Sequence, residues 1–198
     1  MFSLARYGTK VQEVQMPDLK DVERNLIGLL KELTLKTLIG KIGNDKFGRY
    51  LRVFIDSVAV AISKYQRARE GLTIEPQTDL VGHIFGFVTN FEISVIFARR
   101  AFRLFENIKG ELREKPELGK RIKDLRRQIE AKSSKIIDFR DCIIHVDELI
   151  RCSSSGPVLP IPTDGGKKIK LGNLELSTEK YSAFLKNLGE ITISLLRS

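Results

Sequence analysis

The sequence predicts an all-α fold: a four-helix up-and-down bundle, followed by a small C-terminal β-hairpin and a fifth helix. Three observations carry this. Four long segments place apolar residues at steps of three and four, the spacing of one helical face. Turn and cap residues stand between those segments. After Arg151 the chain becomes rich in Gly, Pro and Ser, a composition that cannot continue as helix.

The first helix is expected from about Leu19 to Ile39, on Leu19, Val22, Leu26, Leu29, Leu30 and Leu33, with Gly40 and Gly43 closing it. Asn44 or Asp45 can cap the second, whose seam is Phe47, Leu51, Phe54, Val58, Ala61 and Tyr65. The stretch GLTIEPQTD reads as a loop ending in Thr78 or Asp79, the cap of a third helix. That helix is the most apolar, on Ile84, Val88, Phe91, Val95, Phe102 and Phe105, widened by Ile93, Ile96 and Phe97. Pro116 suits the first turn of the fourth, whose seam is Leu118, Ile122, Leu125, Ile129, Ile136 and Ile143.

Val158 to Ile161, Ile169 to Leu171 and Leu174 to Leu176 read as short strands, with Asp164–Gly165–Gly166 and Gly172–Asn173 as turn residues. Ser177 or Thr178 caps a last helix on Tyr181, Phe184, Leu185, Leu188, Ile191 and Leu195. Residues 1–151 thus form the bundle. Residues 152–198 form the hairpin and a helix that packs back on the same domain.

Apolar residues at 42% and charged residues at 30% describe a folded chain with a sizeable core rather than a disordered one. MFSLARYGTK lacks the apolar run of a secretory signal. Ile84 to Ala98, the longest apolar stretch, is broken by Asn90 and Glu92 and is too short to cross a bilayer. Cys142 and Cys152 make neither a disulfide framework nor a metal ligand set, so a reduced, cytoplasmic setting is expected. No phosphate-binding glycine loop, metal-spaced cluster or serine nucleophile motif is present, and neither metal nor other cofactor is expected.

The net charge of +9 points to an anionic partner, nucleic acid first. Thirteen Lys and Arg fall between Arg99 and Lys135 against six acids, which concentrates most of the surplus in one region. Arg99, Arg100, Arg103, Lys120, Arg121, Lys123, Arg126 and Arg127 are its candidate RNA-binding residues. Two readings stay open for them: a solvated surface with intrahelical ion pairs, or a phosphate-binding track. A membrane face is not expected, since no helix is strongly basic on one side and freely exposed on its apolar side.

The candidate catalytic residues lie in DFRDCIIHVDE, residues 138–148. Arg140 is in phase with Ile136, Ile143 and Ile144, so it should face inward or into a groove, where it needs a carboxylate, a helix end or a phosphate. His145 is five residues on, about 140° around a regular helix, so the two side chains do not share a face. They converge only if the helix loosens near His145 or a second copy of the chain supplies its own pair. Asp141, at i−4, shares the face of His145 and could orient the imidazole. Arginine for phosphate and histidine for proton transfer suit metal-free phosphoryl chemistry. Asp138 and Glu148 are either surface acids or further partners of this site. Cys142 reads as a small packed residue and His83 as an exposed or capping one.

This stretch resembles the signature of the HEPN superfamily: an arginine followed by a polar residue, with a histidine about four to six positions after the arginine. Here those are Arg140, Asp141 and His145, and Val146–Asp147–Glu148 is similar to what often follows. The likeness covers roughly residues 18 to 151. It implies a metal-independent endoribonuclease in which two protomers line one cleft, leaving 2′,3′-cyclic phosphate ends on RNA. His145 would then be the general base or acid, Arg140 the phosphate clamp and Asp141 the residue orienting them. The resemblance also implies a toxin or anti-phage defence effector, restrained by an antitoxin or regulatory subunit. One toxin branch carries a tyrosine two positions after the histidine. Asp147 stands there, which argues against that branch's regulation through a modified tyrosine. The rival expectation is a non-catalytic helical module that binds nucleic acid or a partner subunit through its basic face.

Overall fold

The computed structural model describes residues 14–38, 46–73, 80–111, 116–152 and 156–197. Its helices are α1 (Lys20–Leu38), α2 (Lys46–Thr73), α3 (Leu80–Glu111), α4 (Pro116–Ile144), α5 (Val146–Cys152) and α6 (Thr178–Leu196). Between α5 and α6 lie β1 (Ile161–Thr163), β2 (Lys168–Leu171) and β3 (Leu174–Ser177). The expected stops at Gly40 and Gly43 and caps at Asn44, Asp45, Thr78 and Asp79 lie outside the described residues. Helix α2 runs further than expected, through Gly71 to Thr73. Leu72 packs against the core there, and tertiary burial outweighs the poor helical propensity of glycine.

Helices α2 and α3 form a closely packed antiparallel pair, with Phe54, Ile55, Val58, Ala61, Ile62 and Tyr65 meeting Phe87, Phe91, Val95, Ala98 and Phe105 in the buried core. The last helix fills the middle of the molecule. Twelve of the nineteen residues of α6 are buried, and it packs against α1, α2, α3 and α4. Burial extends beyond the aliphatic seam to Ser182, Asn187, Gly189, Thr192 and Ser194, so α6 is covered on several sides. Gly189 shows how tightly. A Cβ there would stand 2.8 Å from Cγ1 of Val22, so α1 and α6 cross where only glycine fits.

A buried polar chain ties three helices together. The Ser94 hydroxyl donates to the Ala61 carbonyl at 2.7 Å, and its 2.8 Å contact with the Tyr181 hydroxyl therefore has the tyrosine as donor. Burial pushes the pKa of Tyr181 well above the ordinary phenol value, which keeps the donor proton in place. The segment ahead of α1 is fastened just as specifically. The Tyr65 hydroxyl donates to the Pro17 carbonyl, Arg69 Nε to the Met16 carbonyl, and the Leu19 amide to Gln66 Oε1. The Gln15 amide reaches the Gly165 carbonyl in the turn between β1 and β2.

The C-terminal strands make a three-stranded antiparallel sheet in the order β1–β2–β3, with Ile161 opposite Lys170 and Ile169 opposite Leu176. The first strand begins at Ile161, later than Val158. Pro157 and Pro160 lack amide hydrogens for a ladder, and Pro162 is tolerated because β1 is an edge. Ile169, Leu171 and Leu176 turn inward, and β3 touches α4 and α6. Gly156 packs on Gly172, where a Cβ would approach the Gly172 carbonyl oxygen to 2.7 Å.

Two outcomes test this packing. Gly189→Ala should cost about 1–3 kcal/mol in urea unfolding, and adding Val22→Ala should recover part of that loss if the clash is the cause. Burial alone raises the carboxyl pKa of Glu92 on α3. The fold thus favours its neutral form, and that stability is lost as pH rises through the folded-state pKa. Glu92→Gln should raise the melting temperature at neutral pH by about 1–3 °C, with no gain well below the unfolded-state pKa.

Candidate functional site

The candidate residues sit where α4 leaves the core. Ile129, Ile136 and Phe139 are buried, and the Phe139 ring meets Phe91 edge-on at 6.1 Å. Ile143 is part-buried against the core, and every side chain from Ile144 to Glu148 is exposed. The helix ends at Ile144, His145 forms a turn, and α5 begins at Val146. The His145 amide still donates to the Asp141 carbonyl at 2.9 Å, so the break is a bend rather than a disconnection.

Arg140 is part-exposed, at 35% of its side chain, and its Nη1 lies 2.7 Å from Oδ1 of Asp141. The partner that an arginine in this phase requires is thus its own neighbour. His145 is 54% exposed, with Nδ1 4.0 Å from Oε1 of Glu148. Asp141 therefore serves Arg140, and Glu148, three residues on, is the carboxylate beside the imidazole. Within one chain the structure forms two separate pairs, Arg140–Asp141 and His145–Glu148. Asp138, Asp147 and Cys142 surround them. Burial first, then the charges of Asp138 and Asp141, push the Cys142 thiol above its ordinary pKa. The local field at this end of α4 is negative.

The basic residues occupy the other end. Arg99 lies over the Phe102 ring at 5.6 Å and Arg100 over Phe97 at 5.7 Å. Arg126 Nε holds Glu130 at 2.6 Å. Arg103, Lys120, Lys123 and Arg127 are exposed, and Arg121 lies on the same turns of α4. Eighteen residues separate Arg127 from His145, about five full helical turns, so both leave α4 on one side, roughly 27 Å apart along its axis. Lys120 falls on that side too, roughly 37 Å from His145. The track is aligned with the histidine but does not surround it.

Exposed apolar residues mark the histidine's end. Ile144, Val146 and Ile150 flank the bend, and Ile84 and Phe85 stand at the start of α3. The Phe91–Phe139 contact brings the start of α3 to the end of α4, so all five belong to one end of the bundle. Ile84 was expected in the buried seam and is instead 50% exposed, the burial of α3 beginning at Phe87. Periodicity placed Ile84 and Ile144 on apolar seams; it carried no signal for where the seams run out of partners. His83 is part-exposed on the same turn. No described helix is long and apolar enough to cross a membrane.

No family model, curated protein or solved structure matches this chain.

The carboxylates around Cys142 give a direct test of the local field. In a Cys152→Ser background, Asp141→Asn should speed thiol alkylation of Cys142 about 2–5-fold near pH 8 by lowering the thiol pKa. An unchanged rate would leave burial and Asp138 as the causes.

Proposed function

We propose that the chain is a metal-independent endoribonuclease of the HEPN type that works as a homodimer. The observation that carries this reading is the accessibility of both Arg140 and His145 at the α4–α5 bend, beside the exposed aliphatic side chains of Ile144, Val146 and Ile150. Such a cluster is the kind of surface a second copy covers. The motif residues alone carry the family resemblance.

The chemistry follows from the two side chains. A neutral imidazole of His145 takes the proton of a ribose 2′-hydroxyl, and the oxygen attacks the adjacent phosphorus. The bond to the 5′-oxygen breaks, that oxygen takes a proton from an imidazolium, and a 2′,3′-cyclic phosphate remains. Arg140 exchanges Asp141 for the phosphate and neutralises charge that grows on its oxygens. With one histidine at the motif of each chain and two proton transfers per cut, a second copy's His145 is the natural acid.

One observation favours a second reading, a non-catalytic module that binds RNA. Positive charge lies away from His145, and Arg140 is already satisfied by Asp141. Incubating purified protein with bulk tRNA in EDTA separates the two. Wild type should cut and leave cyclic phosphate ends, while His145→Ala and Arg140→Ala, checked for native helical content, should lose about 100-fold or more. Ile150→Glu should weaken self-association and cutting together. Equal inertness of wild type and variants, with equal RNA binding, would establish the second reading.

A further inference from the structure

We infer that the outer side of α4 holds a double-stranded arm of the RNA, about one helical turn away from the position presented to His145. The preferred ligand is then a folded RNA in which an unpaired segment adjoins a stem of about ten base pairs or more. The inference rests on the ribonuclease reading only for what happens at His145. The binding geometry stands without it.

Three features of the molecule lead there. The first is alignment: by regular helical spacing Lys120 and Arg127 fall on the side of α4 that leads to His145, with Lys123 beside them, and Arg103 of α3 is also exposed. The separations of roughly 27 and 37 Å bracket the length of about one turn of duplex. The second is polarity. Between 138 and 151 the four acids Asp138, Asp141, Asp147 and Glu148 outnumber Arg140 and Arg151, whereas Lys120, Arg121, Lys123, Arg126 and Arg127 outnumber Asp124 and Glu130, so a continuous phosphate backbone is drawn to the far end. A ligand gripped by its backbone is therefore held at the far end and touches the acidic end only where it terminates or opens.

The third is the lack of stacking platforms. Proteins that hold single strands place bases on exposed aromatic rings, whereas duplex RNA is recognised through phosphates and 2′-hydroxyls. Among the described residues the only exposed large aromatic is Phe85, at the histidine's end. Along the basic region, the rings of Phe97 and Phe102 are overlaid by Arg100 and Arg99. Among the described residues the basic surface offers charge and hydrogen-bond donors but no bare ring, which suits a paired stem. The one bare ring stands near His145, where an unpaired base would be.

Fluorescence anisotropy tests this with two RNA hairpins that share a loop but carry stems of about six and fourteen base pairs, beside an unpaired strand of equal length. The long stem should bind about tenfold or more tighter than either of the others. The triple variant Lys120→Gln, Lys123→Gln, Arg127→Gln, with native helical content verified, should erase that preference. It should also reduce the slope of log affinity against log salt by about 2–3. Equal affinity for all three RNAs would overturn the inference, as would a triple variant that keeps the stem preference. Cleavage in EDTA is read on the same samples. Stem-dependent binding without cutting would sink the ribonuclease reading and leave the stem inference standing. Cutting with no stem dependence of binding would do the reverse.

Discussion

The burial of α6 is the constraint on which the rest depends. Helices α1 and α4 flank the α2–α3 pair, and α6 occupies the space that all four share. Its position is fixed by two kinds of contact that fail differently. Close packing at Gly189 sets how near α1 can come, and a bulkier residue pushes the helices apart. The Tyr181–Ser94–Ala61 chain sets register, because shifting α6 along its axis would strand a buried hydroxyl without a partner, at a cost of about 1–3 kcal/mol. Thr178, at the start of α6, adds a third restraint by donating to the carbonyls of Gly166 and Lys167 in the β-turn region.

That core decides where α4 ends its support. Its inner face is held as far as Phe139 and Ile143; beyond this the helix bends at His145 and exposes Ile144, Val146 and Ile150. The positive surplus of the same helix lies towards its start, where Lys120, Arg121, Lys123, Arg126 and Arg127 outnumber Glu117, Asp124 and Glu130, while towards its end Lys135 and Arg140 balance Asp138 and Asp141. Phosphate attraction and the motif histidine are thus separated along one rigid rod. Substitutions among the basic residues towards the start of α4 therefore leave the side chains around His145 in place.

Much of this was legible in the sequence because it depends on local pattern. Helical periodicity located the long helices, Pro116 began α4, and Ser177 capped α6 through its side chain on the Lys180 amide. Three strands were visible, although proline chemistry moved the first one to Ile161. What local pattern does not encode is coverage. Seams containing Ile84 and Ile144 look like seams containing Phe91 and Ile136, and only the assembled bundle shows which have neighbours. The depth of α6 was hidden for the same reason, since its buried serines, threonine and asparagine read as solvent-facing. At the site, phase gave Arg140 and His145 different directions from α4. The choice of Asp141 by Arg140 and of Glu148 by His145 depends on rotamers and on a bend that no spacing rule contains.

The anchoring of residues 14–19 on α2 and on the turn before β2 joins an early part of the chain to a late one. During synthesis this has a cost in time. Helices α1 to α4 emerge with the space for α6 still open, and residues 144 to 178 must follow before that helix begins. At roughly 5–20 residues per second this interval lasts about 2–7 seconds. Through it the inner faces of α1, α2 and α4 are uncovered, and Met16 has no Gly166 to close over it. The core of this fold therefore closes only after the sheet has been made, whatever the speed at which any single helix forms.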